Sequence, residues 1–203
     1  MMNRVEKKIH NLLPLLLLFT LGGIFGFIYE EVFYFVDLGY IVKRGTTLGP
    51  WIPIYGFGAV LILLITKHLR QNPFAVFGAS MIVCGEIEFV TGYVLYHMLE
   101  IRLWDYNTEI WNWGNIGGYI CARSVLFFGM SGLFLIYVVY PIILWMQERL
   151  GETVFCYVSV LMAMLFVLDI LFSLWRGRLY LCACYEAYHG CGSTFLSIFP
   201  FLW

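Results

Sequence analysis

The stretch that decides the fold is residues 12–36, LLPLLLLFTLGGIFGFIYEEVFYFV, in which Glu30 and Glu31 are the only charged residues. A bilayer core of about 30 Å is crossed by about 20 helical residues, and this run is longer than that. Basic residues precede it, as in a signal peptide, but the apolar run continues to Val36 without a small-x-small cleavage pattern. We therefore expect a first membrane span that is retained in the mature protein.

The chain as a whole is unusually apolar. Of its 203 residues 62% are apolar and 12% charged, whereas soluble domains are about 45–50% apolar and about 25% charged. Four further apolar segments lie at 51–66, 73–99, 117–145 and 153–175. The sequence predicts an all-α, polytopic transmembrane helical bundle of about five spans in residues 1–178. The apolar, cysteine-rich tail, 179–203, is expected to be re-entrant, interfacial or a sixth span.

The second span begins in a stretch rich in glycine and proline. These residues are Gly45, Gly49, Pro50, Pro53, Gly56 and Gly58. Proline lacks a backbone donor and glycine weakens a helix. Non-helical backbone at membrane depth is tolerated where it is buried in protein or lines a wet cavity. We therefore predict that residues 50–58 are partly irregular and buried against other spans.

The charge distribution bears on the binding partners of the protein and on its orientation in the membrane. The net charge is −1, and the twelve Lys and Arg are spread along the chain, which argues against nucleic acid as a partner. The predicted partner is the lipid bilayer. The basic residues before the first span favour a cytoplasmic amino terminus, in a multi-pass protein of the cell membrane.

Ionisable residues inside spans mark candidate functional sites. At 1.5 Å per residue, Glu30, Glu88 and Asp169 lie roughly 22–27 Å from the starts of spans that run one way, and Arg123 lies roughly 9 Å into the opposing fourth span. All four are expected at about the same depth, in the half of the bilayer next to the loops that follow the first span (loop one) and the third span (loop three). We predict that Glu88 and Arg123 form an ion pair, which in the simpler interpretation only fixes helix register.

Small residues recur on the third span. Gly78, Gly85 and Gly92 have a seven-residue period, which predicts a seam where another helix approaches closely. Glu88 lies one turn from two of these glycines. Its carboxylate is therefore expected near a helix interface.

The tail holds a cluster of thiols and one imidazole, at Cys182, Cys184, His189 and Cys191. A disulfide, a metal site and unpaired thiols are all open, although the Cys-x-Cys spacing is tighter than usual zinc patterns. Elsewhere the sequence suggests no metal and no cofactor.

Several motifs together resemble the bacterial membrane proteins called putative ABC-transporter type IV, or CmpB-type permeases, over roughly residues 22–173. The motif residues are Gly26, Glu30, Arg44, Gly45, Gly49, Pro50, Pro53, Ile54, Tyr55, Gly56, Gly58, Ala59, Glu88, Gly92, Trp104, Asp105, Tyr106, Asn115 and Gly118. The family usually places arginine directly after the last glycine, whereas this chain has Tyr119 there and Arg123 one turn later. Lys43 and Thr46 also replace the asparagine and phenylalanine that the family usually has in its first loop.

The resemblance implies a transporter permease component with a cavity for a small solute or amphiphile. The sequence contains no Gly-x-x-x-x-Gly-Lys-Ser/Thr phosphate loop, so an ATPase would be a separate subunit. A membrane-embedded enzyme acting on a lipid, and an accessory subunit of a membrane complex, stay open as alternatives. The candidate cavity residues are Glu30, Arg44, Pro53, Tyr55, Gly56, Glu88, Trp104, Asp105, Tyr106, Asn115, Arg123 and Asp169.

Overall fold

The structure, a computed structural model, describes residues 4–42, 44–45 and 47–175. Every regular element in these ranges is helical. The helices are α1 (Arg4–Leu38), α2 (Pro53–Ile65), α3 (Pro73–Leu99), α4 (Ala122–Phe134) and α5 (Tyr140–Trp175). A 3₁₀ turn, Thr66–His68, extends α2, and a π-helical turn, Leu135–Val139, joins α4 to α5. The predictions for Cys182, Cys184, His189 and Cys191 lie outside the described residues.

Three helices in the described ranges are long and apolar enough to cross a membrane: His10–Leu38, Pro73–Met98 and Ala122–Ser173. The expected count of about five is not confirmed by this criterion. The predicted second span is a shorter apolar helix, Pro53–His68. The predicted fourth and fifth spans lie in one continuous stretch, because the π-helical turn joins α4 to α5 and the two helical parts of α5 meet directly at a kink at Gly151.

The chain nevertheless changes direction at Gly151, whose φ of 75° and ψ of 155° are not helical. Just before and after it, Gln147 and Glu152 both contact His10 at the start of α1, at 3.0 and 2.9 Å. Further along, Asp169 contacts Gly49, beyond the end of α1. Residues 152–169 therefore run alongside α1 in the same direction, and α4 runs the opposite way.

The irregular backbone lies in loop 1, of which residues 39–42, 44–45 and 47–52 are described. The amide of Arg44 donates to the Glu31 carboxylate at 2.8 Å, and the amide of Ile52 donates to the Gly23 carbonyl at 2.9 Å. Gly23 lies near the middle of α1, so loop 1 descends along that helix before α2 begins.

The irregular part of residues 50–58 is confined to residues 50–52, which precede α2. Pro53 occupies the first helical turn, where its missing N–H costs nothing, and α2 is regular from there. Gly56 serves packing instead: a Cβ there would lie 2.6 Å from the Phe19 carbonyl of α1. Glycine therefore brings α1 and α2 together rather than breaking α2.

Loop 3, residues 100–121, replaces the predicted start of the fourth span. Gly117 and Gly118 have φ of 61° and 82°, which a continuing helix excludes. The loop is held by its own hydrogen bonds, among them Tyr106 N–H to the Gly118 carbonyl and Ala122 N–H to the Trp113 carbonyl. α4 therefore begins at Ala122.

The predicted glycine seam on α3 is used only in part. A Cβ at Gly78 would meet nothing within 4 Å, whereas one at Gly85 would contact Ile120 and Val125. Glycines of α4 also face α3: a Cβ at Gly132 would lie 2.4 Å from the Ser80 Cβ.

Candidate functional site

A cavity of about 380 Å³ lies among α1, α2, α3 and α4, on the side of loops 1 and 3. Along α4 and the π-helical turn that follows it, the lining of the cavity extends from Arg123 to Val139, which is about 24 Å at 1.5 Å per residue. Charged side chains line the end near loops 1 and 3, and apolar side chains line the rest. The apolar lining includes Leu18, Leu21, Phe25, Ile28, Ile62, Phe134, Leu135 and Val139.

One ion pair at the charged end joins loop 1 to α1. Arg44 Nε lies 3.0 Å from Glu30 Oε2, and the two side chains are only 7% and 18% exposed. The guanidinium lies over the ring of Tyr34, 3.8 Å from its centroid. A buried charge needs such a partner, so the descent of loop 1 is fixed by this pair.

A second ion pair joins loop 3 to α4. Arg123 Nη2 lies 2.7 Å from Glu109 Oε2, with side chains 13% and 4% exposed. The other Glu109 oxygen accepts from the Tyr34 hydroxyl at 2.5 Å. Burial raises the pKa of the Glu109 carboxyl, and the Tyr34 hydrogen bond and the Arg123 charge oppose that rise.

Glu88 is the third carboxylate of the cavity and is 6% exposed. One oxygen accepts from the Tyr106 hydroxyl at 2.5 Å, and the other lies 2.8 Å from Ser124 Oγ. Burial raises the pKa of the Tyr106 hydroxyl well above its ordinary value, so Tyr106 keeps the proton that it donates.

The predicted ion pair between Glu88 and Arg123 is wrong. Loop 3 folds back over the first turn of α4 and brings Glu109 to the guanidinium, while hydroxyl groups satisfy Glu88. The Arg123 guanidinium also lies over the Phe33 ring, 4.0 Å from its centroid. Its Nε and Nη1 atoms are buried without a hydrogen-bond partner among the described residues.

Seven of the twelve predicted site residues line the cavity: Glu30, Arg44, Tyr55, Glu88, Trp104, Tyr106 and Arg123. The other five, Pro53, Gly56, Asp105, Asn115 and Asp169, are not among its lining residues. That the cavity binds a ligand stays a prediction.

Asp169 organises loop 1. Its carboxylate accepts from the amides of Leu48 and Gly49, at 3.1 and 2.8 Å, and from Trp51 Nε1 at 2.7 Å. A carboxylate that accepts several N–H groups satisfies irregular backbone that has no helical partner. Asp169 therefore holds loop 1 and does not line the cavity.

Asp105 and Asn115 organise loop 3 in the same way. Asp105 pairs with Arg102 at 2.9 Å and accepts from the amide of Asn107 at 3.0 Å. The side-chain amide of Asn115 donates to Asn107 at 2.8 Å and accepts from the amide of Gly118 at 2.9 Å. These contacts give the loop the shape that carries Tyr106 and Glu109 into the cavity.

Three functional candidates were missed from the sequence: Tyr34, Glu109 and Ser124. Tyr34 lies one turn after Glu30 on α1, which is a usable signal for a shared helix face. Glu109 lies in a loop, where a carboxylate is ordinarily solvated. Its position in the sequence therefore gives no sign that it is buried in the cavity.

The chemistry available is therefore charge recognition within an apolar, aromatic enclosure. In the described residues no group of three or more His, Cys, Asp and Glu side chains is placed to hold a metal ion.

A protein-family model described as Putative ABC-transporter type IV matches residues 17–174. Comparisons with curated proteins and with solved structures give no significant match.

Proposed function

The chain belongs to the Putative ABC-transporter type IV family, and from that membership we propose that it is the membrane component of a transporter and holds an amphiphile in its cavity. The shape and lining of the cavity carry this proposal. A charged end near loops 1 and 3 continues into a long apolar section, which suits a molecule with a polar head and a hydrocarbon tail.

The route into the cavity is proposed to lie between α1 and α4. These helices meet through aromatic rings: Tyr29 stacks on Phe127 at 3.7 Å, and Phe25 lies 6.1 Å from Phe134. Phe25 and Phe134 are also 41% and 47% exposed on the apolar outer surface. Side chains that both close a cavity and face lipid can open it toward the bilayer without breaking helical hydrogen bonds.

We further propose five membrane crossings in the described part of the chain. Ala122–Ser173 has 52 residues, which as a straight helix would be about 78 Å long, far more than a bilayer core of about 30 Å. The reversal at Gly151 divides it into two crossings. The ordered descent of loop 1 together with α2 supplies another, in addition to α1 and α3.

The test fills the apolar section of the cavity. Ser131 lines it, and its Oγ is buried without a hydrogen-bond partner. Ser131→Phe places a ring in that space, and Met130→Phe, next to it on a surface where Met130 is 60% exposed, is the matched control. Native mass spectrometry of protein purified from membranes would count bound amphiphiles. We expect one per chain in the wild type and in Met130→Phe, and loss in Ser131→Phe.

Equal retention in both variants, or no bound amphiphile in the wild type, would contradict the proposal. The same preparation separates the remaining alternatives. A stoichiometric ATPase chain that copurifies supports a transporter. Conversion of the bound molecule on incubation indicates a membrane-embedded enzyme instead, and a complex without ATPase or turnover indicates an accessory subunit.

A further inference from the structure

The charged end of the cavity carries an excess of negative charge. Among the residues that the structure describes, its lining holds three carboxylates and two guanidiniums: Glu30, Glu88, Glu109, Arg44 and Arg123. Two of the carboxylates are each paired with a guanidinium, and Glu88 is held by hydroxyl groups alone. An isolated carboxylate is costly in a low-dielectric enclosure. Glu88 therefore requires either a proton or a bound cation.

The hydrogen bonds around Glu88 accommodate both states. Ser124 has one hydroxyl proton and two acceptors at 2.8 Å, which are Glu88 Oε2 and the Cys121 carbonyl. When Glu88 is ionised, Ser124 donates to it. When Glu88 carries a proton, the carboxyl donates to Ser124 Oγ, and Ser124 donates to the Cys121 carbonyl. In each state the hydroxyl and the carboxyl keep a partner.

Aromatic rings surround this carboxylate. Those that line the same part of the cavity are Tyr29, Phe33, Tyr34, Tyr55, Trp104 and Tyr106. Three of these rings already bind cations of the protein itself, because Arg44 lies over Tyr34 and Arg123 lies over Phe33 and Tyr106. An aromatic enclosure with a carboxylate is suited to an organic cation.

We propose that the charged end of the cavity is a monocation site, in which Glu88 is the counter-ion for the ammonium head of an amphiphilic amine. This inference rests on the proposed function, because it names the class of amphiphile that the cavity holds. A proton on Glu88 is the competing ligand, so binding of the amine releases that proton.

Other groups in the cavity set the charge that Glu88 experiences. The titratable and charged ones are Tyr29, Glu30 and Tyr34 of α1, Arg44 of loop 1, Tyr55 of α2, Cys84 of α3, Tyr106 and Glu109 of loop 3, and Arg123 of α4. Tyrosine and cysteine are neutral in ordinary conditions, and the two remaining glutamates are paired with arginine. Competition between proton and amine is therefore assigned to Glu88.

The experiment measures binding of three radiolabelled probes to the full-length protein in nanodiscs: octyltrimethylammonium, octyl sulfate and octanol. Empty nanodiscs correct for partition into lipid. We expect octyltrimethylammonium to bind best and to weaken as the pH is lowered. Glu88→Gln keeps the shape of the side chain and should weaken binding by about thirty-fold or more, because a desolvated charge pair is lost. Glu86→Gln, an exposed position on the same helix, is the control and should leave binding unchanged.

The outcomes separate this inference from the function on which it rests. Preferential binding of octyl sulfate or octanol, or cation binding that is insensitive to both pH and Glu88→Gln, overturns the monocation site while an amphiphile cavity stands. Failure of all three probes to bind overturns the inference and the proposed function together. The pH series on the wild type tests the competition even if Glu88→Gln does not fold.

Discussion

Arg123 and Glu109 are each buried, and each depends on the other for charge compensation. Removing only the guanidinium leaves a buried carboxylate without its cation, which typically costs about 3–5 kcal/mol. We expect Arg123→Ala to lower the thermal midpoint strongly in detergent. The double variant Arg123→Ala with Glu109→Gln should recover much of the loss, because no uncompensated charge remains. Exposed Arg149→Ala is the control.

The pH dependence of Arg123→Ala follows from the same pair. Burial already raises the pKa of Glu109 above its ordinary value, and the Arg123 charge opposes this, so its removal raises the pKa further. An acid whose pKa is raised on folding stabilises the fold below its unfolded pKa, about 4.3, and loses that contribution as pH rises through the folded pKa. Arg123→Ala should therefore regain stability as pH is lowered toward 5. Two results would argue against the pairing of Arg123 and Glu109. One is a loss of stability in Arg123→Ala that is the same at every pH, and the other is an equal loss in the double variant.

At the level of single residues, the charged residues of the cavity could be identified from the sequence more readily than the residues that pair with them. Intramembrane position alone selects Glu30, Glu88, Arg123 and Asp169, and the first three line one cavity, whereas Asp169 holds loop 1. Their partners depend on how loops 1 and 3 fold back, which no helical period encodes. Glu109 is the clearest example, because a loop carboxylate becomes buried only when the turns of loop 3 form around it.

Among the helices and turns, Gly151 is the residue at which the apolar stretch Ala122–Ser173 changes direction and is divided into two helical parts. Its φ and ψ lie in a region that only glycine adopts readily, and a Cβ there would meet nothing within 4 Å. We expect Gly151→Ala to destabilise the protein by about 1–3 kcal/mol through backbone strain alone. The matched control is Gly78→Ala on α3, also without a neighbour within 4 Å but in regular helix, where alanine is favoured by about 1 kcal/mol.

Thermal unfolding of both variants in one detergent measures the contrast. We expect the thermal midpoint to fall in Gly151→Ala and to rise in Gly78→Ala. Equal midpoints would show that the reversal at residue 151 does not need a left-handed backbone.

Helix type was predictable from apolar length, whereas helix ends were not. α1 and α3 follow directly from long apolar runs, and the structure extends or keeps their predicted limits. α2 and α4 begin later than predicted, at Pro53 and Ala122. Their true starts depend on proline at the first turn of α2 and on left-handed glycines before α4. Both are local backbone preferences that hydropathy does not register.

For the whole molecule, the direction of each segment follows from which ends meet. The start of α1 meets residues 147 and 152, and Arg70 of the turn after α2 accepts from Tyr137 through its carbonyl at 2.8 Å. At the opposite end loop 1, loop 3 and Asp169 meet around the charged end of the cavity. A helical bundle whose loops separate in this way has two faces, with the cavity near one of them.

The final prediction concerns these two faces and the bilayer. In a background without the six native cysteines, single cysteines replace exposed residues at each end: Tyr40 and Ile116 at the cavity end, Gln71 and Leu150 at the other. With the basic amino terminus in the cytoplasm, a membrane-impermeant maleimide should label Tyr40→Cys and Ile116→Cys in intact cells. Gln71→Cys and Leu150→Cys should react only after permeabilisation. Labelling with the two sets exchanged would invert the orientation and place the cavity on the cytoplasmic side. Labelling of Ile116→Cys and Leu150→Cys from the same side would exclude a crossing between them and with it the five-crossing topology.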